Sequence, residues 1–341
     1  MKKKVVTFGE IMMRLNPPGY ERLIQTDTLE ISYAGGEANV AVSLANLGDA
    51  SEFVTSVPDS ILGQAAINNI RFYGVETSHI RREGSRLGLY FVEKGASQRS
   101  SKVIYDRKNS SIACASIDDF CWDEILEGSD WFHFTGITPA LGGNLPSICE
   151  KACRTAKEKG ITVSCDINYR SSLWSKADAA AVMKKLMPYV DVCIANEEDL
   201  TDVFGFPAGN SDIEHGIIDR AGYQSLAKHV IDEFGCRYTA ITLRGSLSAS
   251  TNRWSAMISD GTVSEFSNEY TIQIVDRVGG GDSFGGALIH ALRKEWNLKD
   301  SIEFAAAASC LKQTIEHDFN LVSEDEIRSL ASGIGSGRVR R

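Results

Sequence analysis

Residues 276–284 read DRVGGGDSF, so three consecutive glycines, Gly279, Gly280 and Gly281, run into Asp282 at the head of an apolar, helix-like segment. The first N–H groups of a helix have no partners inside it and carry the positive end of its dipole, so anions settle there. With no β-carbons in the way, polyphosphate oxygens can come within hydrogen-bonding distance of these amides. A carboxylate beside them can take the proton from an attacking hydroxyl while the amides neutralise charge spreading over a transferred phosphoryl group. The pattern is that of a phosphoryl-transfer site, with Asp282 as base and the glycines as anion hole. A Walker loop is excluded, because Gly285 is followed by Gly286 and Ala287 where lysine and Ser or Thr would stand. A dinucleotide fingerprint fails as well, since Phe284 occupies the place of its third glycine. The plain alternative is a tight turn with Asp282 as the N-cap.

A second glycine-led helix start lies near the other end of the chain: Gly35, Gly36, Glu37, Ala38 and Asn39 open a helix that continues to Gly48. Its small residues let a ligand approach closely, and Asn39 can hydrogen-bond hydroxyls from the first turn. Asn196 is followed by Glu197, Glu198 and Asp199, which on its own reads as an acid-rich helix start. Thr242, Leu243, Arg244 and Gly245 read as a strand end and turn.

These segments need a scaffold. Short apolar runs, Val5 to Phe8, Phe53 to Val57, Trp131 to Phe134, Ile161 to Cys165, Val190 to Ala195 and Tyr238 to Leu243, alternate with helical stretches. The helical stretches are Glu37 to Leu47, Ile61 to Phe72, Leu145 to Lys159, Ala177 to Met187, Tyr223 to Glu233, Asp282 to Arg293 and Ser301 to Lys312. The rhythm predicts a mainly parallel sheet with helices on both faces, an α/β fold. One region breaks it. Leu87 to Glu93 and Lys102 to Arg107 read as an antiparallel hairpin, which with Arg14 to Tyr33 would form a small sheet able to cover a cleft and exclude water. Residues 1–331 are expected to form a single domain, with lid strands from about 14–33 and 87–107, and residues 332–341 a flexible tail.

Composition bounds the partners. The 341-residue chain carries a net charge of −9, which argues against nucleic acid or an anionic membrane surface. No run approaches the roughly 18 apolar residues of a membrane span, and MKKKVVTFGEIMMRL lacks the features of a signal peptide. A cytoplasmic protein is expected. The eight cysteines are scattered without metal or redox spacing, so reduced core thiols are the default.

Taken together, the two glycine-led helix starts at opposite ends of an α/β chain resemble the PfkB, or ribokinase-like, family of carbohydrate kinases, and the match covers essentially the whole chain. The resemblance implies a three-layer α/β/α fold with a small β-sheet lid. It implies that Asp282 is the base, that Gly279 to Gly281 form the anion hole, and that Gly35, Gly36 and Asn39 belong to the sugar site. Departures are Gly280, where the family usually has alanine, and Arg277, where it usually has threonine. ATP and Mg²⁺ are the implied cofactors. Asn196, Thr242, Arg244 and Gly245 would serve the nucleotide, and Glu198 or Asp199 the metal, indirectly through water. The loop beginning at Asp276 is where some relatives hold a monovalent cation.

The segments Gly88 to Arg107 and Asp166 to Trp174 resemble those of the branch that phosphorylates 2-keto-3-deoxygluconate. There the residues matching Tyr90, Tyr105, Arg107 and Arg170 surround the substrate. Arginine suits a carboxylated sugar, because its planar fork gives a carboxylate two parallel bonds. Many kinases of neutral sugars in the family place an aspartate where this chain has Arg14, which weakens a fructokinase or ribokinase reading. The expected reaction is transfer of the ATP γ-phosphoryl group to the sugar acid's terminal hydroxyl, at C6. Alternatives are a kinase of another sugar, such as fructose or a related keto acid, or a sugar-acid-responsive regulator without turnover. Apolar residues on the lid sheet would invite pairing into a homo-oligomer.

Overall fold

The computed structural model describes residues 3–206 and 219–333. Its strands, in chain order, are β1 (Lys4–Phe8), β2 (Met12–Asn16), β3 (Glu30–Ala34), β4 (Ala50–Val57), β5 (Ile80–Arg82), β6 (Gly88–Glu93) and β7 (Lys102–Asp106). They continue as β8 (Ser129–Thr135), β9 (Thr162–Asp166), β10 (Val192–Asn196), β11 (Tyr238–Ser246), β12 (Thr251–Ser259), β13 (Ser264–Phe266) and β14 (Tyr270–Gln273). Of the tail expected over 332–341, residues 334–341 lie outside the described residues.

Seven strands run parallel in the order β11-β10-β9-β8-β1-β4-β5. Their β-branched, aromatic and thiol side chains, among them Val5, Val6, Phe53, Val54, Phe132, Cys193 and Ile194, are almost wholly buried, as a sheet covered on both faces demands. Helices Leu145–Glu158, Lys176–Leu186 and Arg220–Phe234 close one face through a cluster containing Ile148, Met183 and Leu226. Helices Gly36–Asn46, Gly280–Arg293 and Leu298–Lys312 close the other through Leu44, Leu288 and Phe304. The result is a three-layer α/β/α architecture, as the resemblance implied.

The small sheet has the order β3-β2-β6-β7, with β2 antiparallel to β3, parallel to β6, and β6 antiparallel to β7. The turn of the β6–β7 hairpin touches the main body. Ser97 N–H donates to Ser250 Oγ at 2.9 Å, and Ala249 N–H donates to the Ser97 carbonyl at 2.8 Å.

Two features depart from the sequence reading. Thr242 to Gly245 is not a turn after a strand, because β11 continues to Ser246 along the antiparallel partner β12, which pairs Arg244 with Trp254 and Gly245 with Arg253. That added pairing edge, with β13 and β14 also antiparallel to β12, extends the parallel sheet. The helix Glu324–Ala331 was not anticipated either.

Candidate active site

Parallel strands present their carboxyl ends to one side, and ligands of open α/β sheets bind there. Here Glu10 follows β1, while Asp166, Asn196, Thr242 and Arg244 lie at the ends of β9, β10 and the parallel part of β11. They line a cleft of about 670 Å³ that the small sheet covers and into which both glycine-led helix starts open.

The glycine turn is built by close approach. Gly279 has φ +82° and a β-carbon there would lie 2.0 Å from the Asp318 carbonyl oxygen, so only glycine fits. Gly279 is the N-cap and the helix starts at Gly280, so Asp282 stands within the first turn and does not cap it. A β-carbon on Gly281 would meet nothing within 4 Å, so the turn is open to the cleft at that position, whereas the Gly280 N–H donates to the Arg277 carbonyl at 3.3 Å. The helix Gly280–Arg293 packs tightly on Gly36–Asn46, where a β-carbon on Gly286 would come within 2.8 Å of Ser43. This packing puts the two motifs side by side.

Asp282 Oδ2 accepts from Asn39 Nδ2 at 2.6 Å, and a β-carbon on Gly36 would stand 3.7 Å from Asp282 Oδ1. Asn39 Oδ1 also accepts from Gly35 N–H at 3.3 Å, holding the start of that helix. Beneath it the buried Glu37 carboxylate accepts from Thr135 N–H, Thr135 Oγ1 and Thr138 Oγ1. Asp282 is half-buried on the cleft wall and otherwise packed in protein. This desolvation pushes its carboxyl up to about 7; the Asn39 hydrogen bond opposes it, and the charges of Asp318 and Glu37 add to it. Such a value suits a base near neutral pH. Asp166, also on the cleft wall, is raised well above the ordinary range by burial and by the charges of Asp199 and Asp282.

At the far end, Arg107 is held by Glu10, with Nη2 and Nε at 2.5 and 2.8 Å from Oε2. Its guanidinium lies 5.3 Å from the Tyr105 ring centroid, and Tyr105 stacks on Tyr90. Tyr90 lines the cleft but commits its hydroxyl to Asp318 Oδ1 at 2.8 Å. Arg170 is exposed on the cleft wall, donating Nη1 to the Tyr169 carbonyl at 2.8 Å, and its charge acts on the Asp282, Asp166 and Asp199 carboxyls.

At the other end, Asn196 Oδ1 accepts from Asp199 N–H at 2.7 Å, and Asp199 Oδ1 accepts from Tyr169 N–H at 3.1 Å. Burial raises the Asp199 carboxyl to about 6. Asp199 therefore fastens the chain, whereas Glu198 is exposed on the cleft wall. Among the described residues no group of three His, Cys, Asp or Glu side chains could enclose a metal ion, so a metal here would rest largely on water and phosphate oxygens. Thr242 and Arg244 line the cleft; Gly245, one residue further along β11, is not among the lining residues. Arg277 lines it too, and its guanidinium is brought below its ordinary value by burial and by the nearby Arg244 charge.

Sequence reading alone missed the foundation of the glycine turn. Arg14, fully buried in β2, reaches Asp276 Oδ2 at 2.5 Å and Asp318 Oδ2 at 2.6 Å. Burial opposes its charge, but Asp318 and Asp276 hold it charged and above its ordinary value. An arginine in the lid is thus keyed into the loop that leads to the glycines. Its sequence signal was a cation within an apolar strand, MMRLN, which requires buried carboxylates somewhere in the chain.

The family model of pfkB family carbohydrate kinases matches residues 2–316. The crystal structure of 2-dehydro-3-deoxygluconokinase from Thermotoga maritima superposes with a TM-score of 0.94 at 50% identity, covering 98% of this chain and 99% of that one. A curated 2-dehydro-3-deoxygalactonokinase of Haloferax volcanii is 33% identical over 99% of both chains. A structure from E. coli solved in complex with ATP and Mg²⁺ shares the fold, with a TM-score of 0.79 at 18% identity over 97% of this chain and 99% of that one.

Proposed function

We propose that this chain, which belongs to the pfkB family of carbohydrate kinases, phosphorylates 2-keto-3-deoxygluconate (2-dehydro-3-deoxygluconate) at its C6 hydroxyl with ATP. The observation that carries the reading is the placement of Asp282 beside the glycine turn, with Arg107 and Arg170 on the wall of the same cleft.

Asp282 takes the proton from the C6 hydroxyl as that oxygen bonds to the γ-phosphorus. The bond from the γ-phosphorus to the β,γ-bridging oxygen breaks, and its electron pair leaves with ADP. Amides at Gly279 to Gly281 receive the charge on the transferring group. Gly35, Gly36 and Asn39 approach the sugar, and Asn39 keeps one Asp282 oxygen fixed so that the other faces the hydroxyl. Arg107 and Arg170 orient the substrate carboxylate, and Tyr105 and Tyr90 wall the pocket. In the free enzyme Glu10 already pairs with Arg107, which keeps the guanidinium in place and leaves other donors of its fork for the substrate. Asn196, Thr242, Arg244 and Gly245 serve the nucleotide, with Arg277 a further cation at the phosphates. Mg²⁺, held through water by Glu198 with Asp199 behind it, would neutralise charge on the phosphates.

In this reading residues 1–331 form one cytoplasmic domain with its lid, and the protein pairs through the lid sheet, whose Ile31, Val103 and Ile104 are exposed. Among the described residues no helix is long and apolar enough to cross a membrane. The Ile104→Asp variant should elute at half the wild-type mass by light scattering; a wild-type monomer would exclude the pairing.

The reading is tested by ADP release with Mg·ATP and 2-keto-3-deoxygluconate, its galacto epimer, fructose, ribose and gluconate, with Arg107→Ala alongside. Turnover of the keto-deoxy acids, with KM raised in the variant, is the expected outcome. Preference for fructose or ribose would overturn the sugar-acid assignment, and silence throughout would favour a regulator.

A further inference from the structure

Lys312 ends the helix Leu298–Lys312 and is fully buried. Its ammonium makes three hydrogen bonds, all to main-chain carbonyls: Asp276 at 3.2 Å, Val278 and His317. An ammonium has three donors and no acceptor, so three carbonyls match the charged form completely. A neutral amine would turn its lone pair toward a carbonyl oxygen. Burial lowers the group from its ordinary value, while the charges of Asp276 and Asp318 support the protonated state.

The three carbonyls come from two separate pieces of backbone. Asp276 and Val278 belong to the loop that runs directly into Gly279, and His317 precedes Asp318, whose carbonyl forms the seat of Gly279. Carbonyl oxygens of two loops converging on one monovalent charge are the coordination a potassium or ammonium ion would take. A mobile ion does not fit here, because the carbonyls are already occupied by a tethered cation.

We propose that Lys312 is a built-in monovalent cation: its ammonium clamps the 276–278 and 313–318 loops together, sets the geometry of the anion hole and makes turnover independent of added potassium. It is a positioning residue. It touches neither substrate and acts through the Gly279–Gly281 amides, so the proposal rests on the reading of those amides as the anion hole. A point charge on a covalent stem is always present, whereas an exchangeable ion would tie the rate to its concentration.

The test uses enzyme in buffers whose only cation besides Mg²⁺ is tetramethylammonium, with KCl or NH₄Cl then titrated in. Wild type should change by less than about twofold. In Lys312→Ala, kcat should fall about tenfold to hundredfold, the scale of a small misplacement at a reacting centre, with little change in sugar KM. Potassium and ammonium, but not lithium or tetramethylammonium, should then restore rate in a saturable way. They should also raise the melting temperature of the variant and not of wild type. This thermal readout needs no substrate, so it separates failure of the cation proposal from failure of the sugar assignment. Wild-type activation by potassium beyond a few-fold, or a folded variant insensitive to every monovalent ion in rate and melting temperature, would overturn the proposal. Should Lys312→Ala not fold, the wild-type titration decides, with Lys312→Gln as the second variant.

Discussion

Asn39 and Asp282 are joined by one hydrogen bond of 2.6 Å across 243 residues of sequence. That contact fixes which oxygen of the carboxylate is free, and it tempers the rise in its proton affinity. With Asp282 as the proposed base the reactive form is the ionised one, and its carboxyl is pushed up to about 7, so kcat should rise with pH through about 7 and level off above it. Asp282→Asn should lower kcat by about 10²–10⁴ with sugar affinity nearly unchanged. Asn39→Ala should move the inflection to higher pH. Full turnover in Asp282→Asn, measured by ADP release and with binding followed by calorimetry, would remove Asp282 from the base role.

The same carboxylate has a stability consequence of opposite sign to the usual aspartate. Its ordinary value is 3.8 and its folded value about 7, so the folded state disfavours ionisation. Its stabilising neutral form is complete below about pH 4 and is lost as pH rises through about 7. Asp282→Asn cannot titrate and should melt above wild type at pH 8, with the gap narrowing toward pH 4. Scanning calorimetry at the two pH values checks this; a gap that widens toward acid would contradict the desolvated carboxylate.

Two glycines of the turn should respond differently to one added methyl group. Gly279→Ala collides with the Asp318 carbonyl and forces a left-handed backbone on alanine, so both melting temperature and activity should fall. Gly281→Ala has room for its methyl, which on the proposed role of the turn would enter the space of the phosphoryl group. Melting temperature should hold while kcat drops. Equal melting losses in the two variants would show that position 281 is not open in solution.

Arg14 carries two buried carboxylates at once. Arg14→Met should destabilise the fold by about 3–5 kcal/mol, the scale for leaving buried charge unpaired, in urea unfolding monitored by tryptophan fluorescence. Adding Asp276→Asn and Asp318→Asn should recover part of that loss. Arg14→Lys should not restore the wild-type value, since an ammonium cannot reproduce the fork that spans both partners. A neutral Arg14→Met would mean that the pairing contributes nothing net.

Much of this was legible in the chain. Runs such as WFHF and VCIA, buried on both faces, left little doubt about the parallel strands, and GGGD carried its chemistry in a single turn. The antiparallel strands β12 to β14 were not legible: they break the strand–helix alternation, and β13 has only three residues, SEF, with no apolar alternation. The helix Glu324–Ala331 could have been found, since Ser323 and Glu326 form a capping box. In the site, the glycines and Asn39 could be named because their types alone are suggestive. Arg14, Asp318 and Lys312 could not, because each acquires its meaning only from a partner far away in sequence: Asp318 lies 304 residues from Arg14.

The lid strands are interleaved with the main sheet along the chain: β1 is followed by β2 and β3, β4 and β5 by β6 and β7, before β8 returns to the centre. No single stretch of sequence encodes the lid alone. The shortest contiguous segment that holds all four of its strands, 12–106, also carries β4, β5 and the helix Gly36–Asn46 of the main body. A recombination event that exchanged the whole cover would therefore exchange Gly36 and Asn39 with it, so the cover and that helix start travel together.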